Sequence, residues 1–200
     1  MRIAILMTNT DESAFGQRHP KDGEKFSALL REVRPDWDFD VYSVKDGVFP
    51  ETLDGVNGVL ITGSPASVHD GEAWIDRLEA LIRDIAETRL PVFGACFGHQ
   101  AIAKALGGTV SYNPQGWVLG SVQTRLFDLD RTVSAYAAHK EQVTALPETA
   151  QVVAETPGCP IAGFAMGTHI LTTQYHPEKT DGCVAALLEE MAQDTDPDVI

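Results

Sequence analysis

The chain has 200 residues, 44% of them hydrophobic and 22% charged, which suits one globular domain. Its 15 basic residues against 29 acidic ones leave a formal charge of −14, so partners such as nucleic acid or an anionic membrane surface are not expected. No apolar run reaches membrane-spanning length, the start from Met1 to Met7 is too short for a signal peptide, and three cysteines without framework spacing read as free thiols of a cytoplasmic protein.

Ile3 to Met7 is a continuous apolar run and predicts a first strand covered on both faces. Phe26, Leu29, Leu30 and Val33 recur at helical spacing up to Pro35, which ends that helix. Phe39 to Val44 and Val56 to Ile61 predict two further strands, the second stopped by Thr62-Gly63-Ser64-Pro65. Trp74, Leu78, Leu81, Ile82 and Ile85 form another helical stripe, Pro91 to Phe93 opens a fourth strand, and His99 to Leu106 is a helix closed by Gly107-Gly108. Strands and helices alternating through short connections imply a parallel sheet with helices on both faces.

The second half is β-rich. Val118 to Thr124, Thr132 to Ala138, Gln151 to Ala154, Ile161 to Ala165 and Ile170 to Tyr175 predict added antiparallel strands and a return to the main sheet. A last helix is expected over Cys183 to Met191. One domain is expected over residues 1–193, with residues 194–200 a frayed tail.

Gly94-Ala95-Cys96-Phe97-Gly98 follows a strand and opens a helix, the pattern of a nucleophile elbow. A sharp strand-to-helix turn demands small residues on either side of the nucleophile, and the helix N-terminus favours a thiolate there. Cys159 and Cys183 lack this context and read as structural. A cysteine nucleophile needs a base and a group that orients it. His176 follows a β-run, and Glu178, two residues on in His176-Pro177-Glu178, projects to the same side of an extended segment. His139 is the other histidine expected to line a site, whereas His99 reads as packing and His69 and His169 as surface or satisfied groups. No metal-ligand spacing, P-loop or dinucleotide motif occurs, so neither metal nor cofactor is expected.

Together these residues resemble the class I glutamine amidotransferases, across nearly the whole chain. Gly94 to Gln100 is similar to the family's nucleophile motif, Tyr175 to Glu178 to its histidine–glutamate motif, and Thr62 to Pro65 to its oxyanion strand. The resemblance implies a flavodoxin-like three-layer α/β/α fold, with Cys96 as nucleophile, His176 as base and acid, and Glu178 as orienter. It further implies Gly63 and Phe97 as oxyanion donors and Gln100 beside the glutamyl group, with Ser64, Trp117 and His139 around the substrate. Ile61 to Asp70, Trp74-Ile75 and Asn113 to Trp117 look like the stand-alone branch related to the GMP synthase glutaminase domain and to γ-glutamyl peptidases. The chain departs from that branch at Val118, where an acidic residue is expected, and at His139-Lys140-Glu141 in place of His-Gly-Asp. The implied reaction is hydrolysis of a glutamine amide or γ-glutamyl bond, with a small-molecule substrate. The alternatives are a glutaminase subunit serving a synthetase partner in trans, or an inactive binding protein on the same fold.

Overall fold

The computed structural model describes residues 1–194, so the expected tail lies outside the described residues except Asp194, which ends a helix. The first half alternates as its apolar pattern predicts. Strand β1 (Arg2–Met7) is followed by helices α1 (Ala14–Arg18) and α2 (Asp22–Val33), strand β2 (Asp38–Ser43) and β3 (Gly58–Ile61). Helix α3 (Ala73–Thr88), β4 (Val92–Ala95) and α4 (Phe97–Ala105) complete it. These strands are parallel, and β11 (Ile170–Thr173) joins them beside β4, also parallel. The parallel order β2-β1-β3-β4-β11 is the flavodoxin-like arrangement.

Strand parity sorts the core into two faces. Ile3 and Ile5 of β1 pack with Phe26 of α2 on one face, whereas Ala4 and Leu6 belong with Ile75, Leu78 and Ile82 of α3 and Ile102 of α4 on the other. Both faces are therefore buried, which is why β1 and β3 read as unbroken apolar runs.

The second half extends the same sheet with antiparallel strands. Strands β6 (Val118–Leu126), β7 (Arg131–His139), β9 (Gln151–Thr156) and β10 (Cys159–Met166) continue it in the order β10-β9-β6-β7, giving nine strands among the described residues. Helix α5 (Asp181–Asp194) follows β11.

Three elements depart from the sequence reading. Val56 belongs to a turn, its N–H donating to Leu53 O, so β3 starts only at Gly58. Strands β5 (Thr109–Tyr112) and β8 (Glu141–Ala145) form a separate two-stranded sheet whose buried Val110 and Val143 join the α3–α4 face of the core. Each is too short for its alternation to stand out. Helix α1 lies in a polar stretch between β1 and α2 for which the sequence reading names no element. It buries none of its residues, and the Ser13 hydroxyl caps it by accepting from the Gly16 N–H at 3.1 Å. Among the described residues, no helix is long and apolar enough to cross a membrane.

Candidate active site

The carboxyl ends of β1, β3, β4 and β11 converge, and they carry Thr8, Thr62-Gly63, Cys96 and Gln174–Glu178 respectively. Open parallel sheets bind their ligands at this edge, beside the switch in strand order. Cys96 sits between β4 and α4 with φ 50° and ψ −106°, a backbone conformation that costs a non-glycine residue roughly 1–3 kcal/mol. The flanking glycines permit it. A Cβ on Gly98 would stand 2.4 Å from Ile61 O, and one on Gly94 would stand 2.6 Å from Gly98 O. The elbow is thus wedged against β3, tied there by the Gly98 N–H donating to Thr62 O at 3.1 Å.

His176 and Glu178 lie on the segment leaving β11, both buried, with Nδ1 and Oε1 2.8 Å apart. A carboxylate only accepts, so Nδ1–H donates and Nε2 is left as the basic nitrogen facing the site. Burial alone would oppose a charge on His176. The nearby Cys96 sulfur and the Glu178 carboxylate outweigh that and push it up to about 9, which favours an imidazolium at neutral pH. Gly63 shows how closely the parts meet: a Cβ there would stand 2.9 Å from His176 Cε1 and 3.4 Å from Cys96 Cβ.

Two backbone N–H groups close to this pair have no protein acceptor among the described residues. Thr62 O accepts from the Gly98 N–H and from Thr8 Oγ1, each within 3.1 Å. Because a peptide N–H points opposite its C=O, the Gly63 N–H is turned away from Gly98 and Thr8. Phe97 is the first residue of α4, so its N–H has no helical partner. Among the described residues neither N–H donates to a protein acceptor. Thr8 also lies 3.0 Å from Gly63 O and 3.1 Å from Thr62 Oγ1. It is a fully buried support for this strand end. Its only sequence signal is a polar residue closing the first apolar run.

The β6–β7 hairpin closes the far side. The Tyr136 carbonyl accepts from the His176 N–H at 3.0 Å, and the Ala138 carbonyl lies 4.0 Å from Cys96 Sγ.

A cavity of about 300 Å³ opens from Cys96 and His176. Gly63, Ser64 and Trp117 line it, together with Phe15, His19, Lys21 and Lys25 from the α1–α2 segment, and Lys179 and Cys183. Lys25 pairs with Asp22 at 2.9 Å, while Lys21 stands 4.0 Å from Glu12. Cys183 is therefore half-buried on the cavity wall rather than simply structural, whereas Cys159 is buried elsewhere in the fold.

Two expected substrate contacts lie elsewhere. Gln100 is buried and does not line the cavity: its Nε2 stands 2.8 Å from Glu141 O and 3.2 Å from Gln174 Oε1. His139 is also buried behind the wall. Its Nδ1–H donates to Glu141 O at 3.0 Å, and burial first, then the charge on His176, lowers it to about 4 despite that bond. His99 is fully buried, with Nδ1 2.8 Å from Thr172 Oγ1. His69 is satisfied by Val110 O. Among the described residues no group of three or more His, Cys, Asp or Glu side chains is placed to hold a metal ion.

An oriented imidazole beside a thiol at a helix N-terminus, with two neighbouring N–H groups that lack acceptors among the described residues, is equipped for acyl transfer. Comparison with known proteins agrees with that chemistry. Residues 29–189 match the family "Glutamine amidotransferase class-I". Gamma-glutamyl peptidase 2 of Arabidopsis thaliana is 30% identical over 189 residues, covering 88% of this chain and 75% of that protein. A glutamine-hydrolysing GMP synthase of Aeropyrum pernix is 31% identical over 135 residues, covering 64% of this chain and only 25% of the synthase. A glutamine amidotransferase from Thermotoga maritima has the same fold, with a TM-score of 0.80 at 20% identity over 96% of this chain and 83% of that one.

Proposed function

Because the chain belongs to the class I glutamine amidotransferase family, we propose that it hydrolyses γ-glutamyl amide bonds through a Cys96 thioester and acts unaided as a γ-glutamyl peptidase. In this reading the Cys96 thiolate forms a C–S bond to the γ-carbonyl carbon, and the oxyanion accepts from the Gly63 and Phe97 N–H groups. As the C–N bond breaks, His176 Nε2 passes its proton to the departing amine. Nε2 then takes a proton from water, the hydroxide adds to the thioester, and the sulfur leaves as thiolate with release of the glutamyl acid. Glu178 holds the ring so that Nε2 stays aimed at the sulfur.

The observation that carries the reading is the close approach of His176 and Cys96 to Gly63 at the sheet's carboxyl edge, where an added Cβ would stand 2.9 and 3.4 Å from them, with the Gly63 and Phe97 N–H groups lacking acceptors among the described residues. The peptidase form is favoured by the cavity's extent: it runs past the thiol to Phe15, Lys21 and Trp117, space that a substrate larger than glutamine would fill. The second reading, a glutaminase passing ammonia to a synthetase in trans, has its support in the GMP synthase likeness.

The purified chain, assayed for glutamate release on glutamine and on glutathione, distinguishes them. Unaided cleavage of the tripeptide, abolished in a folded Cys96→Ala and weakened in Lys21→Ala, is expected. Inactivity on both substrates, rescued only by a synthetase-containing extract, refutes the peptidase form. Wild-type turnover in folded Cys96→Ala refutes the nucleophile.

A further inference from the structure

Gln174 is fully buried in the last turn of chain before the His176 segment, where nothing in the motif pattern marks it. We infer that Gln174 is a further residue of the catalytic centre, an amide donor that stabilises the Cys96 thiolate. The inference rests on the reading of Cys96 as nucleophile.

The orientation of the amide carries the argument. Gln174 Nε2 stands 3.7 Å from Cys96 Sγ, and an amide in that place could offer either its nitrogen or its oxygen. The neighbouring groups settle which. Glu141 O is a backbone carbonyl and only accepts, so the group 2.8 Å from it must be the Gln100 nitrogen. That same nitrogen stands 3.2 Å from the other end of Gln174, which must therefore be oxygen. Gln174 is left with its NH₂ turned to the sulfur. A backbone carbonyl thus orients the donor through two buried side chains, Gln100 and Gln174.

A donor in this place matters because of what else surrounds the sulfur. The Ala138 carbonyl, 4.0 Å from Sγ, suits a thiol, whose S–H can point at it, but it repels a thiolate. A thiolate is an acceptor only, and Cys96 is 4% exposed, so little water reaches it. Gln174 supplies an N–H in water's stead, on a side chain that burial holds rigid. It acts twice in the cycle: once on the resting thiolate, and again when the thioester C–S bond breaks and sulfur takes the electron pair. It also gives Gln100 a place in the site that differs from contact with the glutamyl group. Gln100 aims Gln174.

The test is the pH profile of Cys96 alkylation by iodoacetamide, followed by peptide mapping, in the unsubstituted chain, in Gln174→Met and in Gln100→Met. Thermal melts and kcat and KM accompany it. Methionine keeps length and apolar bulk while removing the donor. Gln174→Met is expected to raise the midpoint of the profile by about one pH unit, which slows alkylation about tenfold on its acid side. It should lower kcat more than it raises KM. Gln100→Met, which frees the Gln174 amide to turn, is expected to raise the midpoint by less, and it decides the matter if Gln174→Met does not fold. A residue that only fills space would change the melt and leave the midpoint in place. Unmoved midpoints in the folded variants, with Cys96 still the reactive thiol of the unsubstituted chain, overturn the inference and leave the nucleophile standing. An inert Cys96 in the unsubstituted chain overturns both.

Discussion

Gly63→Ala tests the site's geometry with a single methyl group. The Gly63 backbone has no positive φ, so alanine fits the chain itself, and the consequence comes from what the methyl touches. At 2.9 Å from His176 Cε1 it falls well inside the ~3.5–4.0 Å of comfortable carbon–carbon contact, so the ring or the strand end must yield by roughly 0.6 Å. The ring has little room, because its Nδ1 is held at 2.8 Å by Glu178 and its backbone N–H by Tyr136. The Gly63 strand end is equally fixed by Thr8. Either movement separates the imidazole from the sulfur or withdraws a proposed oxyanion donor. Losing one such donor costs about 10²–10³ in kcat, and a misplacement approaching 1 Å costs about 10². A drop in kcat of about 10²–10³ is therefore expected, with a melting temperature close to that of the unsubstituted chain, read by glutamate release and calorimetry. Gly98→Ala is the contrast: its methyl would stand 2.4 Å from Ile61 O, a backbone atom, so it should impair folding itself. Unchanged kcat in a folded Gly63→Ala would refute the arrangement of Gly63, His176 and Cys96 described above.

Thr8→Val keeps shape and removes the hydroxyl that holds Thr62 O and Gly63 O, so a loss of about 1–3 kcal/mol of stability and a fall in kcat are expected from urea unfolding and turnover. Brief iodoacetamide treatment with peptide mapping should label Cys96 first, then Cys183 on the cavity wall, and Cys159 last, since burial pushes the Cys159 thiol up to about 11. The pH dependence has two limbs. His99 and His139 are lowered by burial to about 3 and about 4, so from pH 6.5 downward the unfolded chain binds protons that the fold refuses. Stability should then fall by about 1.4 kcal/mol per pH unit for each histidine, measured as urea midpoints between pH 7 and 4.5, and His139→Gln should flatten the slope. His176 is raised, so its contribution is complete below pH 6.5 and is lost as pH climbs through about 9, where turnover should also decline.

The sequence by itself determined the parallel half of the fold and named the candidates for the reactive groups. Ile3 to Met7 and Gly58 to Ile61 are legible because strands buried on both faces carry no polar residue. Cys96 is legible because its turn tolerates only glycine at positions 94 and 98, a local steric demand that leaves a local mark. His176 and Glu178 are legible as a pair because they lie two residues apart, although they meet in a turn closed by the Lys179 N–H donating to His176 O rather than on the extended segment that the sequence suggests. What only the tertiary structure decided concerns partners far apart along the chain. Thr8 acts through residues 54 and 55 positions away, and Gln174 through Cys96, 78 positions away, so no spacing rule could announce either. Gln100 and His139 show the same limit from the other side. Each is a polar residue close in sequence to the site, yet Glu141 O draws both inward, away from the cavity. The short strands β5 and β8 and the helix α1 follow suit, since their stability comes from pairing and from the surface they lie on, not from their own few residues. Local strain leaves its signature in neighbouring residues, whereas long-range hydrogen bonds are created only when folding brings their ends together.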